Sequence, residues 1–240
     1  SARIEKLVPA MRMQDMFGAP AANSSISASI SKFATELEAL AANPESVSQR
    51  SNVVATAEAL TFQLNSMSSD IQDLRFEADQ EITAALGIVN DQLVIVNELN
   101  TQIARSKILG EPTGDLEDKR DIALNKIAEQ IEISYFTRDT GEVVVFSRNG
   151  RTLVDNVAQT IAHTPVSSMS ASFTYPGAVT EIDLGGVDIT SELRSGRVGA
   201  LITLRDTTLP ALTEEINRLS TMLRDEVNRV HNDGTGRPAA

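Results

Sequence analysis

The chain has 240 residues, of which 41% are hydrophobic and 4% are aromatic. Its formal net charge of -12 argues against nucleic acid or an anionic membrane surface as a partner, because both favour basic protein faces. The complete absence of cysteine excludes disulfides and thiolate metal sites, and the scarcity of aromatics disfavours an aromatic-lined enzyme pocket.

The first part of the chain is predicted to be helical, with two breaks. Residues 2–17 carry apolar side chains near one helical face, and Pro9 either kinks or splits that helix. A break is predicted at residues 18–20. Residues 23–25 are Asn, Ser and Ser, which are favourable N-cap residues for the next helix. From Ile26 to Leu40 apolar residues recur at steps of three and four, which is the helical period.

The longest predicted element runs from Pro44 to Leu109, a stretch with no further proline and with Gly87 as its only glycine. The sequence Asn43-Pro44-Glu45 suits a helix start. A coiled-coil-like seam then steps by three and four through Ala57, Leu60, Leu64, Met67, Ile71, Leu74 and Ala78. A helix of this length extends over about 95 Å at 1.5 Å per residue, which predicts an elongated rod.

Acidic residues are concentrated on this long helix. Seven carboxylates lie between Asp70 and Glu98, against the single basic residue Arg75. Such a run predicts a solvated helix face, and a docking strip for a basic partner is the alternative. No apolar run approaches the roughly 20 residues that a membrane span needs, and the first residues do not resemble a cleaved signal peptide.

The period of the sequence changes after the next helix. Gly110 and Gly114 bracket the end of the long helix, and Asp115 is predicted to cap a helix that continues to about Ile131. Short segments rich in β-branched and aromatic residues then alternate with turn residues, which indicates a small antiparallel β domain. The strand candidates are residues 131–135, 143–146, 158–162, 171–175, 179–184 and 187–190.

Helix returns after Gly196, with a kink or a fresh start at Leu209-Pro210 and a stop at residues 232–234. The fold class is therefore predicted to be α+β and mainly α. The architecture is an elongated helical bundle rod with one very long helix and an inserted small antiparallel β domain. The discontinuous helical rod comprises residues 1–130 and 196–240, and the inserted domain comprises residues 131–195.

The sequence offers little that indicates catalysis. His163 is expected to be an ordinary surface or strand histidine and His231 a structural residue at a helix end, since the two have no paired ligand spacing. Phosphate-binding loops and calcium loops are absent, and Ser29-Ile-Ser-Lys32 lacks the companion motifs of serine acyl-enzymes. We therefore expect no catalytic residue, no metal site and no cofactor.

Two Arg-Asp pairs, Arg120-Asp121 and Arg205-Asp206, lie beside the apolar stripes of predicted helices. Pairing on the surface of the same chain is one interpretation and contributes only about 0.3–0.5 kcal/mol per pair. Pairing with a neighbouring helix or across subunits is the other.

Three blocks of the sequence resemble the flagellar hook-associated protein 1 family, and their order and spacing fit that family. The first is residues 33–50, with Asn43-Pro44-Glu45. The second is Leu116-Glu-Asp118-Lys-Arg120-Asp121. The third runs from Gly196-Arg-Val198 through Arg205-Asp206 and Leu209-Pro210 to Val227-Asn228 and residues 231–234.

The resemblance implies a structural component of the bacterial flagellum, a junction-ring subunit that joins hook to filament. Its implied partners are copies of itself, the hook protein, the second hook-filament junction protein and an export chaperone. It also implies export through the flagellar channel to the cell exterior without a cleaved signal peptide. The family's terminal polymerisation segments are not matched, which implies a core fragment. The motif match gives the expected interface or structural residues, which are Arg120, Asp121, Arg205, Asp206, Asn228 and His231.

Two other classes of protein share features of this sequence. Another flagellar axial component or an unrelated coiled-coil scaffold would use the same helical seams. The helical ligand-sensing domain of a receptor also contains long helices, and it requires transmembrane segments on either side.

Overall fold

The computed structural model of the chain describes residues 25–235. The predicted helical stretch 2–17 and the break at residues 18–20 lie outside the described residues. The helices and strands of the described part are α1 (Ile26–Ala42), α2 (Val47–Leu109), α3 (Gly114–Gln130), β1 (Ile133–Thr137), β2 (Val143–Ser147), β3 (Thr152–Val154), β4 (Ile161–Ala162), β5 (Asp183–Leu184), a 3-10 helix (Thr190–Glu192), α4 (Gly196–Thr203), a π-helical segment (Leu204–Thr208) and α5 (Leu209–Thr235).

The predicted fold class is confirmed: the chain is mainly helical, with one very long helix and small antiparallel sheets. Helix α2 has 63 residues and is unbroken. Tertiary contacts divide the chain into two compact units, one that comprises the residues up to Leu74 and from Pro210 onward, and one that comprises Arg75–Leu209. The rod shape and the separate inserted domain at residues 131–195 stay predictions.

The first unit is a set of helices that bury the predicted seam. Leu60, Leu64, Met67 and Ile71 of α2 are buried, and they follow one another at steps of four, three and four, which places them on one side of the helix. Phe33 of α1 and Ile216 of α5 are buried in the same unit. The heptad-like spacing therefore predicted the helical core of this unit.

The ends of the first helices show how polar residues set their boundaries. Ser25 is the N-cap of α1, as predicted, and its side chain accepts a hydrogen bond from the Ala28 N–H. Helix α2 begins at Val47 rather than at Pro44, since Pro44 and Glu45 form a turn. The Ser46 Oγ accepts the Gln49 N–H at 3.2 Å, and this hydroxyl, not Asn43, caps the helix.

The second unit has one shared core of helices and strands. The α2 residues at its centre are Ile82, Leu86, Val89, Leu93 and Val96. They pack in one cluster with apolar residues of α3 and α4, of the sheet β1-β2-β3 and of the two-stranded sheet β4-β5. All strand pairs are antiparallel, as predicted.

Two predicted strands were wrong, and others were displaced. Residues 171–175 form turns, because the carbonyls of Ser170 and Phe173 bond the Arg75 guanidinium instead of a strand. Residues 187–190 make only an isolated bridge, Asp183↔Asp188, before the 3-10 helix begins. The first strand is residues 133–137 rather than 131–135, because α3 extends to Gln130.

The predicted kink at Leu209-Pro210 is a change of helix type. The chain winds as a π-helix over Leu204–Thr208 and continues directly into α5. Proline is tolerated within the first turn of a helix, and the wider π turn lies just before it.

The start of α3 differs from the prediction. Its N-cap is Thr113, and the predicted cap Asp115 lies in the first turn of the helix.

Part of α2 is apolar enough to resemble a membrane span, contrary to the sequence expectation. By length and composition alone, this helix contains a stretch of 18 residues that could cross a membrane, and less than half of that stretch is buried in the fold. The core residues Ile82, Leu86, Val89 and Leu93 contribute to the apolar character of α2. The exposed residues Ile88, Val94 and Ile95 contribute as well.

Candidate functional site: buried arginines and exposed motif residues

Arg205, one of the two arginines among the motif residues, lies in the π-helical segment. Its side chain has no solvent exposure and forms an ion pair with Asp79 of α2, whose side chain is equally inaccessible. The guanidinium also binds its neighbour Asp206 through Nε–Oδ1 and Nη2–Oδ2 contacts of 2.8 Å each. Arg205 is therefore fully engaged within the chain.

Asp79 receives hydrogen bonds from three residues in two separate segments, the π-helical segment and residues 163–166. In addition to Arg205, it accepts the backbone N–H of Val166 at 2.8 Å. The His163 Nε2 lies 3.0 Å from its Oδ1, and the His163 Nδ1 lies 3.2 Å from the Glu181 carbonyl oxygen. The histidine side chain is buried, so the expectation that His163 is an ordinary surface or strand residue was wrong.

Arg75 extends this cluster by bonding backbone carbonyls. Its Nε donates to the Arg205 carbonyl at 3.0 Å, and its two Nη atoms donate to Ser170 at 3.1 Å and Phe173 at 2.6 Å. Both arginines are among the largest fully buried side chains. The acidic run of α2 is consequently not a wholly solvated face, because Arg75 and Asp79 point into the core.

The electrostatics of this cluster favour the charged forms of its central pair. Burial raises the pKa of Asp79, but hydrogen bonds from His163, Val166 and Arg205 outweigh it and place the pKa below its usual value. Burial lowers the pKa of Arg205, but Asp206 and Asp79 raise it above its usual value. For Arg75, burial prevails and the pKa is lowered. The arrangement is that of a structural ion-pair network, which fixes the π-helical segment and residues 163–173 to α2.

Arg120, the arginine of the other predicted pair, is also buried. Its Nη1 donates to the Gly141 carbonyl at 2.6 Å and contacts the Asn100 Oδ1 at 3.4 Å. Asn100 in turn binds the backbone of Val143 at both ends of its amide, with distances of 2.8 and 2.9 Å. Arg120 thus supports the turn between β1 and β2.

The remaining motif residues lie at the surface. Asp121, Asn228 and His231 are exposed, and Asp206 is partly exposed beside Arg205. Asp121 belongs to the second unit, whereas Asn228 and His231 lie on α5 in the first unit. The structure therefore divides the six motif residues into two buried arginines with internal partners, one partly exposed carboxylate that pairs with Arg205, and three exposed side chains.

Glycines of the third sequence block are required by close backbone approach. Gly196 has a φ of 72°, and a Cβ there would lie 2.4 Å from the Gln130 carbonyl oxygen. A Cβ on Gly199 would lie 2.5 Å from the Arg194 carbonyl carbon, a distance at which the backbone itself must move. This packing explains why the block contains glycine at both positions.

Sequence reasoning missed several residues that build this site. Asn90 and Asn100 were not named, and Arg75 and Asp79 were counted only as members of the acidic run, although each continues the three- and four-residue spacing of the buried α2 seam. Asn90 binds the Ile161 backbone through two contacts of 2.9 Å, as Asn100 binds Val143. Polar residues at seam positions were the available signal, because a buried polar group requires a hydrogen-bonding partner.

Small-molecule sites are not prominent in the described residues. Between residues 25 and 235 no group of three or more metal-binding side chains occurs. A shallow groove of about 260 Å³ in the first unit is lined mainly by apolar side chains, including Ile26, Met67, Ile216 and Met222. It contains no convergent catalytic groups.

Comparison with curated proteins gives relatives of one kind. The flagellar hook-associated protein 1 of Salmonella typhimurium is 26% identical over 216 residues, covering 88% of this chain and 39% of the relative. The protein of the same name from Bacillus subtilis is 21% identical over 234 residues, covering 88% of this chain and 46% of the relative. The chain therefore spans less than half the length of these relatives.

The fold also resembles a solved structure, that of the flagellar hook junction protein FlgK from Burkholderia pseudomallei. The TM-score is 0.68 at 24% identity, and the match covers 85% of this chain and 36% of the other. The sequence model of the flagellar hook-associated protein FlgK helical domain matches residues 10–238. Since that match includes the buried-arginine network, the structurally required glycines and nearly all of the chain, this chain belongs to the FlgK family of flagellar hook-associated proteins.

Proposed function

We propose that this chain is the core of a subunit that joins the hook to the filament of a bacterial flagellum. The observation that supports this most directly is the family match over residues 10–238. The name of the Burkholderia relative describes a hook junction protein. The proposed role is structural rather than enzymatic, because a joint in a tube requires rigid surfaces rather than a reactive site.

The internal construction of the chain suits a mechanical role. Charged and amide side chains on α2 bind backbone groups of β2, β4 and the π-helical segment, which fixes these parts to one long helix. Such buried polar networks stiffen a fold when all their members are satisfied. In our proposal residues 131–195 form the laterally placed part of the subunit, and the helices form its axis.

Exposed motif residues supply the proposed contacts with other subunits. Asp121, Asn228 and His231 are available to neighbouring copies, to the hook protein or to the second junction protein, whereas Arg120 and Arg205 act within the chain. Subunits related by heterologous contacts build rings and helical tubes. Export to the cell exterior through the flagellar channel, with help from a chaperone, completes the proposal.

The test is deletion of the complete gene in its bacterium. We expect cells with hooks but no filaments by electron microscopy, and flagellin released into the medium. Restoring the full-length gene recovers filaments. Normal filaments and motility after the deletion would overturn the proposal.

The exposed motif residues can be tested in the same strain. Full-length genes carrying Asp121→Arg or Asn228→Arg should restore filaments poorly, although the proteins are exported and folded. The matched control is Asp115→Arg, which changes an exposed acidic residue on the same helix as Asp121. Equal recovery by all three variants would remove these residues from the interface.

A further inference from the structure

Among the described residues 25–235, strand β1 forms an edge of its sheet. The strand order is β1-β2-β3, so in the part of the chain that the structure describes β2 is the only strand beside β1. The Arg138 N–H donates to the Glu142 carbonyl at 2.8 Å, and the Arg148 N–H donates to the Glu132 carbonyl at 3.2 Å. Even-numbered residues of this strand therefore bond β2, and the alternation of an antiparallel ladder turns the N–H and C=O of Ile133, Tyr135 and Thr137 outward.

The side chains of this edge lack the usual protection against pairing. All residues of β1 from Ser134 to Thr137 are exposed, with Tyr135 at 54% and Phe136 at 52% exposure. The strand sequence Ile-Ser-Tyr-Phe-Thr contains no charge, proline or glycine. Natural sheet edges are normally blunted by charged residues, proline or bulges, so an edge of this composition suits pairing with another strand.

Charges on both sides of the strand indicate which strand fits. Glu132 and Arg138 lie three residues before and three residues after Tyr135. In an antiparallel pair of two identical strands centred on Tyr135, each Glu132 stands opposite an Arg138 of the other copy. Opposite charges across a strand pair are favourable, and like charges are unfavourable. The same centre places each outward N–H of Ile133, Tyr135 and Thr137 opposite an outward carbonyl.

We propose that β1 pairs with β1 of a second copy of this chain, antiparallel and centred on Tyr135. Present contacts of the flanking residues do not prevent it. Glu132 pairs with Arg148 and Arg138 with Asp155, both at 2.7 Å, and all four side chains are more than a third exposed. A carboxylate can accept from a second arginine, and a guanidinium has donors for a second carboxylate.

The contact is isologous, so it closes at two copies and does not propagate. It is therefore distinct from the heterologous contacts of the proposed junction ring. A pair of five-residue strands buries less surface than a standard protein interface, and the association is correspondingly weak.

Disulfide trapping tests the register directly, because the chain contains no cysteine. Tyr135→Cys should form a covalent dimer on mild oxidation, since directly opposite residues have Cα atoms about 5.5 Å apart. Thr137→Cys is the matched control: it faces residue 133 of the other copy and should form no dimer alone. Mixed with Ile133→Cys, it should form a heterodimer. Equal trapping of Tyr135→Cys and Thr137→Cys alone would overturn the proposed register.

Sedimentation equilibrium tests the contact without cysteines. We expect the unmodified chain to show a dimer fraction that increases with concentration. Tyr135→Pro removes an outward N–H and leaves the bonds to β2, a position at which an edge strand accepts proline. It should weaken pairing about tenfold or more, since both copies lose a hydrogen bond.

Charge exchange separates this pairing from a contact made elsewhere on the chain. Glu132→Arg should weaken the dimer by placing two arginines opposite each other, and the double variant Glu132→Arg/Arg138→Glu should recover it. Circular dichroism shows that each variant is folded. A monomer at all concentrations, or a dimer insensitive to Tyr135→Pro, would overturn the proposal, and capture of β1 by a different protein in place of a second copy would do the same.

Discussion

Asp79 and Arg205 form an ion pair from which solvent is completely excluded, although they lie 126 positions apart in the chain. The pair joins the long helix α2 to the π-helical segment that precedes α5. Burying two charges costs several kcal/mol per ion, and only close geometry with additional hydrogen bonds offsets that cost. Here His163, Val166 and Asp206 supply those hydrogen bonds.

Removing one member of this pair should destabilise the fold strongly. Asp79→Ala leaves Arg205 with a single carboxylate and deprives Val166 and His163 of their acceptor. We expect a loss of about 3–5 kcal/mol in the free energy of unfolding, measured by urea denaturation. Glu215→Ala is the matched control, because its pair with Arg218 is well exposed and contributes less than about 1 kcal/mol. Similar losses in the two variants would contradict a special role for the buried pair.

The same carboxylate should contribute to acid sensitivity. The pKa of Asp79 is lower in the folded chain than its usual value, which is about 3.9 in the unfolded chain. Its ionisation therefore stabilises the fold fully above about pH 4, and this contribution is lost as the pH falls through the folded pKa. Glu192 behaves in the same direction, because its bond to Arg151 lowers its pKa.

Unfolding measured by urea between pH 2 and pH 7 checks this expectation. The unmodified chain should lose stability on acidification below about pH 4. Asp79→Asn should be less stable at pH 7 and should show a shallower decrease, because one linked proton is removed. Parallel curves for the two proteins would show that Asp79 does not titrate with folding.

The helices could be predicted because their buried apolar residues recur at steps of three and four. Leu60, Leu64, Met67 and Ile71 occupy their expected buried positions, and the burial of one helical side requires only that spacing. Likewise, the predicted strand at residues 143–146 lies within strand β2, Val143–Ser147, since β-branched residues are favoured on a pleated surface.

The polar interior could not be predicted in the same way. From the sequence alone, Arg75 looks like an exposed basic residue within an acidic run. In the structure its guanidinium donates to the backbone carbonyls of residues 170, 173 and 205. Only the tertiary fold brings those carbonyls together. Residues 171–175 also have the composition of a strand but form turns and irregular structure. The carbonyl of Phe173 within this segment, and that of Ser170 just before it, accept hydrogen bonds from the buried Arg75.

Asn100 should be required for the attachment of strand β2 to α2. Its amide binds the N–H and the C=O of Val143, and all of these groups are buried. Asn100→Ala leaves two backbone groups without partners, at about 1–3 kcal/mol each. We therefore expect the free energy of unfolding to fall by at least about 2 kcal/mol, measured by urea denaturation.

The control for Asn100 is Asn52→Ala, at an exposed position of the same helix. Its replacement should change stability by only a few tenths of a kcal/mol, and alanine is the better helix former. Equal stability of the Asn100→Ala and Asn52→Ala variants would contradict the prediction, because it would show that the hydrogen bonds of Asn100 to Val143 are not needed for the attachment of β2.

Two glycines in helices should respond to alanine in opposite directions. A Cβ on Gly199 meets the Arg194 backbone at 2.5 Å, whereas a Cβ on Gly87 has no atom within 4 Å. Gly199→Ala must displace backbone in a packed region and should cost about 1–3 kcal/mol or more. Gly87→Ala has no such clash and should stabilise the long helix by about 0.5–1 kcal/mol. Urea denaturation of the two variants measures both changes, and a stabilised Gly199→Ala would show that α4 is not held against residue 194 as described.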